Sequence, residues 1–171
     1  MAISNVVKNF RDGTILLQDG TGTPLDVTIQ YENGDFNLSG LTGVGGTTAY
    51  DHTVYLDRGE LNIGGIRKTN RTFPTFSFTA QFTDLSDATN ETLPDFILKT
   101  GSFASAVSTL GANADVYAVD ITWTIEGTNF GDATDHVVSL SDCVITGLSI
   151  AEGDPNTFSI DGVVYGTIAL T

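Results

Sequence analysis

Apolar and polar residues alternate along much of the chain, most clearly in the segment FPTFSFTAQFTDL, residues 73–85. Phe76, Phe78 and Phe82 occupy every second position, while Thr, Ser and Gln fill the positions between them. A period of two residues predicts a β-strand with one buried face and one outward face. We therefore predict that these three phenylalanines belong to the core, and that the outward face is rich in hydroxyl groups and uncharged.

The same alternation recurs in LDVTIQY (25–31) and in VYAVDITWTIE (116–126). In the second segment Trp123 falls on the apolar side, and Asp120 and Glu126 fall on the other. Turn signals such as DG, ENGD and GG interrupt the short apolar runs at intervals of about eight to fifteen residues, a spacing typical of β-sandwiches and barrels. Two late strands are predicted over about 142–151 and 158–170, joined by the turn EGDPN.

One segment has helical spacing, at about residues 92–101. Pro94 suits a first helical turn, Asp95 favours the positive end of the helix dipole, and Gly101 is suited to end the helix. Residues 102–114 are compatible with a further helical turn or with a loop, and residues 39–53 are interpreted as a glycine-rich connection. The predicted fold is mainly β, a sandwich or barrel of two packed antiparallel sheets with one short flanking helix, in a single domain over residues 1–171.

The composition fits a folded domain outside the membrane. The chain has 171 residues, of which 40% are apolar, and this length is enough to enclose a hydrophobic core. No apolar run is long enough to cross a bilayer, and no hydrophobic segment typical of a secretory signal follows Met1. The single cysteine, Cys143, excludes an internal disulfide and fits synthesis in a reducing cytoplasm.

The net charge of −14 is distributed unevenly along the chain. Residues 1–71 carry a net charge of −2, and residues 72–171 carry −12 with one base, Lys99. Arg58, Arg67, Lys68 and Arg71 lie within one short segment. Such acidity argues against a protein that binds nucleic acid by neutralising its phosphates.

The sequence contains no recognisable catalytic or metal-binding motif. His52 and His136 are far apart, and Cys143 lies in an alternating strand where a small buried residue is expected. No catalytic triad, zinc cluster, phosphate loop or dinucleotide fingerprint is present. We therefore expect no enzymatic activity, no cofactor and no metal.

Surfaces are the remaining features that can carry a function. Strand edges are normally protected from other chains by charge, and the outward Thr and Ser positions here lack that protection. This composition suits a subunit that pairs its edges with identical copies. Contacts of that head-to-tail kind close into rings or stack into filaments.

The chain resembles the tail tube (major tail) proteins of long-tailed bacteriophages in the order of its segments, over nearly its whole length. These segments are the early hairpin TILLQDGTGTPLDVTIQYENGDF, the charged segment YLDRGELNIGGIRKTNRTFP, the strand FSFTAQFTDL, the helix LPDFILKTG, the strand VDITWTIEG and the paired strands VVSLSDCVITGLSIAEGDPNTFSIDGVVYGTIAL. None of these segments is a strict motif.

The resemblance implies a β-sandwich with a flanking helix that forms six-membered rings, which stack into a hollow tube in the tail of the virion. It also implies that double-stranded DNA passes through the lumen without specific binding, that tape measure and tail terminator proteins are partners, and that no membrane is involved. A negative lining would repel DNA phosphates. The candidate lining residues are Asp26, Asp120 and Glu126, and the alternative is that they lie on ordinary solvated strand faces.

The resemblance further implies that the basic segment with Arg58, Arg67, Lys68 and Arg71 reaches a neighbouring subunit or the next ring. The alternative for this segment is a solvated hairpin.

Two other functions remain open from the sequence. One is a different virion component, either a capsid decoration protein or a tail terminator. The other is a carbohydrate-binding, adhesin-type β-sandwich that stacks sugars on Trp123, Tyr50, Tyr55 and Tyr117. Core burial of Trp123 and Tyr117 is the competing interpretation.

Overall fold

The computed structural model describes residues 13–29, 34–41, 49–56, 63–87, 89–126 and 133–171. Among these residues ten strands are found: β1 (Thr14–Gln18), β2 (Asp26–Ile29), β3 (Asn37–Ser39), β4 (Ala49–Leu56), β5 (Ile63–Thr72), β6 (Thr75–Gln81), β7 (Val119–Ile125), β8 (His136–Ala151), β9 (Thr157–Val164) and β10 (Ile168–Leu170). One α-helix, α1 (Leu93–Leu98), is followed by a short 3-10 helix, Gly101–Phe103.

The long strand β8 belongs to both layers of the fold. Its first half, up to Cys143, pairs with β7, and its residues from Cys143 to Ala151 pair with β9. Strand β10 pairs with residues 138–140 of β8, in the same half of β8 that pairs with β7, whereas β9 pairs with the second half. One layer therefore has the order β2-β1-β7-β8-β10, and the other has the order β8-β9-β6-β3. All pairings are antiparallel. The predicted mainly β fold with two antiparallel sheets and one short helix is confirmed.

A local irregularity in β8 allows it to pass from one layer to the other. Asp142 has a positive φ of 53°, and the pairing with β9 shifts register between Ile145 and Gly147. Irregularities of this kind bend a strand and increase its twist. The two halves of β8 therefore face different sheets.

The core lies between the inward faces of the two layers and is closed by the helical segment. Phe76 and Phe78 of β6 are each 2% exposed, as the alternation predicted. Phe82 and Trp123 are partly buried and pack against this core. The other large buried side chains include Ile15, Leu17, Phe96, Phe103, Ile121, Phe158 and Ile160.

The helix is shorter than the sequence predicted. Thr92 is its N-cap and accepts a hydrogen bond from the amide of Asp95 at 3.3 Å, and Pro94 lies in its first turn. The prediction that Gly101 ends it is wrong, because Lys99 adopts a left-handed conformation with φ of 55° and ends the helix two residues earlier. Beyond the 3-10 helix, the segment up to residue 114 consists of turns. No helix in the described ranges is long and apolar enough to cross a membrane.

Strands β4 and β5 form a separate hairpin that, in the described chain, pairs with no other strand. The interpretation of residues 39–53 as a connection is wrong at its end, because residues 49–53 belong to β4. Val54 is 48% exposed, Leu56 57% and Ile66 62%. A two-stranded hairpin standing alone is marginally stable at best. We therefore expect this hairpin to pack against another surface.

Gly162 provides a test of the packing between β9 and β6, because it pairs with Phe76. A Cβ at Gly162 would overlap the Phe76 ring and lie 2.7 Å from the carbonyl oxygen of Val144. We expect Gly162→Ala to lower the free energy of unfolding by about 1–3 kcal/mol, the usual cost of overpacking. Gly22→Ala is the control, because a Cβ there meets nothing within 4 Å. Urea unfolding measures both, and an equal loss in the two variants would contradict the packing described.

Candidate assembly surfaces

The outward face of the β8-β9-β6-β3 layer carries rows of small polar side chains, and we call it the polar face. Antiparallel register places the outward residues of β6 directly opposite those of β9: Thr75 with Val163, Ser77 with Asp161, Thr79 with Ser159, and Gln81 with Thr157. Ser39 of β3 continues one row, with its hydroxyl 2.9 Å from that of Thr75. The hydroxyl-rich face predicted for the aromatic strand therefore extends across neighbouring strands.

Asp161 carries the only charge on the four strand segments of the polar face, which are β3, β6, β9 and residues 144–151 of β8. It is exposed near the middle of the face, opposite Ser77 on one side and Gly147 on the other. A shallow groove of about 260 Å³ runs beside it. The face can form hydrogen bonds with water or with a neighbour, and its strands offer no cation to hold a polyanion.

This layer has two open edges among the described residues. Strand β3 pairs only with β6, and residues 144–151 of β8 pair only with β9. Neither edge carries a Lys or Arg that would discourage pairing with another chain. Beyond the end of β3, where β6 has no strand partner on this side, a carboxylate oxygen of Asp35 accepts a hydrogen bond from the amide of Thr79 at 2.8 Å.

The three acids expected to line a lumen lie on the other layer. Asp26 of β2 and Asp120 of β7 both pair with Gln18 of β1, so they belong to one row across that sheet. Glu126 follows the far end of β7. The structure thus brings Asp26 and Asp120 together, leaves Glu126 apart from them, and places all three on the layer opposite the polar face.

Asp120 is half-buried beside a second carboxylate. Its Oδ1 accepts a hydrogen bond from the amide of Asp142 at 3.0 Å, and the Thr109 hydroxyl donates to Asp142 Oδ1 at 2.8 Å. Burial and the Asp142 charge raise the pKa of Asp120, and the Asp142 amide opposes them in part. Burial beside both carboxylates also raises the pKa of the Cys143 thiol far above its usual range, so this cysteine is a core residue and not a nucleophile.

The structure brings the bases of the hairpin together on β5, which carries Arg67, Lys68 and Arg71. Arg58 lies outside the described residues. The Lys68 ammonium lies 4.8 Å from the centroid of the Tyr50 ring, and the Arg71 guanidinium 4.7 Å from that of Phe73. Lys68 and Arg71 thus contact aromatic rings, and none of the three bases on β5 forms an ion pair with another described residue, so their charge is available to a partner.

A groove of about 410 Å³ lies beside the open edge of β2 and was not predicted from the sequence. Val27, Ile29 and Leu93 contribute apolar surface to it, while Asp84 and Glu91 contribute carboxylates. Its walls come from β2, from the end of β6 and from the loop before α1. Segments this far apart in sequence meet only through the sheet order, which the local pattern does not specify.

Asp19, which is 3% exposed, holds two loops together, and this role was not predicted from the sequence. Its carboxylate accepts hydrogen bonds from the amides of Thr21, Leu25 and Val107 at 3.2, 2.8 and 2.9 Å. Burial raises the pKa of Asp19, but the hydrogen bonds outweigh it and the pKa lies below its ordinary value. The Asp-Gly turn after β1 was the available signal, and the residue joins this turn to a distant loop.

The aromatic rings considered for sugar binding do not form one platform. Tyr50 and Tyr55 lie exposed on the hairpin, whereas Trp123 stacks on Phe36 with ring centroids 4.8 Å apart. Tyr117 contacts Phe96 at 6.2 Å. In the part of the chain that the structure describes, no group of three or more His, Cys, Asp or Glu residues is placed to hold a metal ion.

Comparison with solved structures finds the same fold in phage-like injection particles. One similar chain comes from the cryo-EM structure of the PVC sheath/tube terminator in the extended state, part of an extracellular contractile injection system. The alignment has a TM-score of 0.57 at 16% identity and covers 99% of this chain and 99% of that chain. A chain of the PVC sheath-tube complex has a TM-score of 0.56 at 13% identity and covers 99% of this chain and 93% of that one. A chain of the 6-fold symmetrised baseplate of the anti-feeding prophage has a TM-score of 0.55 at 11% identity, covering 100% and 97%.

No family model matches the sequence, and no curated protein matches it. At identities this low the structural likeness establishes the fold alone.

Replacing Asp120 tests the geometry of the carboxylate pair. Asp120→Asn keeps an oxygen that accepts from the Asp142 amide and removes a charge that folding partly buries. Because the folded pKa is raised, ionised Asp120 opposes folding above that pKa and the penalty vanishes as the pH falls through it. We expect the variant to be at least as stable as the wild type at pH 7, with a smaller difference at pH 3. Chemical unfolding at both pH values measures this, and a large loss at pH 7 would refute it.

Proposed function

We propose that this chain is the structural subunit of a hollow tube in a phage-like tail, and that it is not an enzyme. The observation that carries the proposal is the polar face, a four-stranded sheet whose outward side chains are mostly small and uncharged, with Asp161 as the one charge on its strands, and which has two open edges. A tube wall needs that combination, because its inner surface must be wetted without binding the cargo and its edges must join identical copies. The likeness to chains of injection-system structures supports it.

Ring formation follows from the open edges. The β3 edge of one copy pairs with residues 144–151 of β8 in the next copy, and repetition of this heterologous contact closes a ring. The backbone groups of both edges are then hydrogen-bonded. Six copies per ring is the proposed number, supported by the 6-fold symmetrised baseplate of the anti-feeding prophage, which contains a chain of the same fold.

The polar face lines the lumen in this proposal. Asp161 then forms one ring of carboxylates in each layer of the tube, and hydroxyl groups surround it. Double-stranded DNA passes without specific binding, because the lining repels phosphates and offers them no cation. The opposite placement would put Asp26, Asp120 and Glu126 inside, and it is disfavoured because Asp120 is half-buried and already hydrogen-bonded.

The β4–β5 hairpin reaches a neighbouring copy. It exposes apolar and basic side chains together and pairs with nothing else in the described chain. The proposed partners beyond identical copies are a tape measure protein and a tail terminator, and the proposed location is the tail of the virion, after synthesis in the host cytoplasm.

A tube terminator is the second candidate, because the TM-score to a chain of the PVC sheath/tube terminator, 0.57, is close to the 0.56 found for the sheath-tube complex. The two functions differ in assembly. A tube subunit forms long tubes when concentrated alone, whereas a terminator stops at a single ring.

Charge reversal on the hairpin tests the role of this segment. We expect Arg67→Glu with Lys68→Glu to abolish tubes in negative-stain micrographs, because the bases would no longer attract an acidic neighbour, while circular dichroism shows an unchanged fold. Lys99→Glu is the control, since it reverses a charge outside the hairpin and should leave tubes intact. Normal tubes in the double variant would rule out this role for the hairpin.

Cysteine labelling identifies the face that lines the lumen. Native Cys143 is fully buried and should not react with a thiol reagent. Labelling of the single variants Ser159→Cys, on the polar face, and Thr122→Cys, on the other layer, therefore measures the accessibility of the introduced cysteine alone. We expect a bulky maleimide-polyethylene glycol to label both variants before assembly and only Thr122→Cys in tubes, because the lumen excludes the polymer. Protection of Thr122→Cys alone would place the other layer inside.

A further inference from the structure

The groove beside the open edge of β2 has the features of a docking site for a chain segment. Its floor is apolar where Val27, Ile29 and Phe158 line it, and its rim is polar. Strand β2 pairs only with β1 among the described residues, so its second edge faces the groove with free backbone groups. Asp26 and Thr28 are the outward residues of β2, and Thr28, which is exposed and uncharged, is the one that lines the groove. The part of the edge beside the groove therefore lacks the charge that normally prevents strand addition.

Two carboxylates give this groove its charge. Asp84 and Glu91 line it, and both are exposed. Neither takes part in a hydrogen bond or ion pair with another described residue. The neighbouring acid Asp87, in contrast, is engaged by the amide of Thr89 at 2.7 Å and by the side chain of Asn90 at 2.7 Å.

The hairpin offers the complementary surface. Lys68 lies on the same face of the hairpin as Ile66 and its partner Val54, and Arg67 lies on the opposite face. Val54, Leu56 and Ile66 expose apolar side chains. Opposite charges at the rim and apolar contact at the centre are the usual arrangement of a specific interface.

The other described grooves fit the hairpin less well. The groove on the polar face contains one carboxylate, that of Asp161. The groove beside Tyr117 contains Asp115 but also Lys99, whose charge repels an incoming base. The β2 groove has two carboxylates and no base among its described lining residues.

The hairpin and the groove lie at opposite ends of the sandwich. The hairpin joins β6 at its first residue, Thr75, whereas the groove is lined by Ala80, Gln81 and Thr83 at its other end. At about 3.3 Å per residue the two ends of β6 are about 20 Å apart, and no residue of β4 or β5 lines the groove. The occupant is therefore a second copy, and the contact runs head to tail.

We propose that the hairpin of one copy inserts into the β2 groove of a copy in the adjacent ring, so that Arg67 on one face of the hairpin and Lys68 on the other meet Asp84 and Glu91 at the rim. This inference rests on the proposed tube function and names the surface that receives the hairpin. Because donor and acceptor lie at opposite ends, each ring binds the next in one orientation and the stack acquires a direction.

A charge exchange between the two surfaces tests the docking site. We expect Asp84→Lys with Glu91→Lys to reduce the yield of tubes at least tenfold, as does the reversal of Arg67 and Lys68 to Glu. The chain that carries all four substitutions restores tubes, because reversed hairpins meet reversed grooves. Asp115→Lys with Asp154→Lys is the matched control, and it does not restore tubes when combined with the reversed hairpin.

A disulfide experiment gives an independent result that does not depend on charge. We expect Arg67→Cys with Glu91→Cys to produce a ladder of covalent multimers under oxidation, whereas Arg67→Cys with Asp154→Cys does not. The ladder also demonstrates that the contact is head to tail, since a symmetric contact would stop at a dimer.

Failure of the docking site and failure of the tube function are distinguishable. If the wild type forms tubes but the exchanged chain, with a normal circular dichroism spectrum, does not, and no ladder appears, the groove is not the receiving surface. If the wild type forms neither rings nor tubes at any concentration, the proposed function itself is overturned, and the docking site with it.

Discussion

The structure depends on one constraint, that the backbone N–H and C=O groups of strand edges must find hydrogen-bond partners. Within a single copy the described residues of the two layers leave four edges open, at β2, at β3, at β10 and along the second half of β8. Soluble proteins usually guard such edges with charge or with an inward bend. Here β3, β10 and the second half of β8 carry no charged residue, so pairing between copies is the direct way to satisfy their backbone groups. The proposed ring and the proposed docking site both follow from this requirement.

Charge is arranged so that assembly and transport do not interfere with each other. The described Lys and Arg residues on strands are confined to the hairpin, which forms a sheet of its own and does not pair with the strands of the polar face. The polar face keeps a single carboxylate, at Asp161. In an assembled tube the attractive charges would therefore lie between copies, while the channel surface would offer neither a cation nor a large apolar area. The net charge of −14 does not by itself separate the two surfaces. The separation comes from the positions of the charged residues along the chain.

Local pattern predicted those parts of the fold that local physics controls. The alternation in residues 73–85 correctly identified Phe76 and Phe78 as buried, because side-chain direction in a strand has a strict period of two. The helix start was predicted from Pro94 and Asp95, whereas its end was not, because a left-handed Lys99 has no sequence signature. The continuity of β8 through its bend, and the groove between β2 and the loop before α1, arise from long-range pairing. No single segment encodes them, so the surface with Asp84 and Glu91 was invisible from the sequence.

The passage of β8 through both layers has a mechanical consequence. In most sandwiches the two sheets are held by side-chain contacts and by loops, so shear between them is resisted mainly by packing. Here an unbroken main chain of 16 residues runs from one layer to the other, with β9 and β10 alongside it. A load applied to one wall is therefore transmitted to the other through covalent bonds and a hydrogen-bonded ladder, which would make a cylinder of such subunits stiff against bending and torsion.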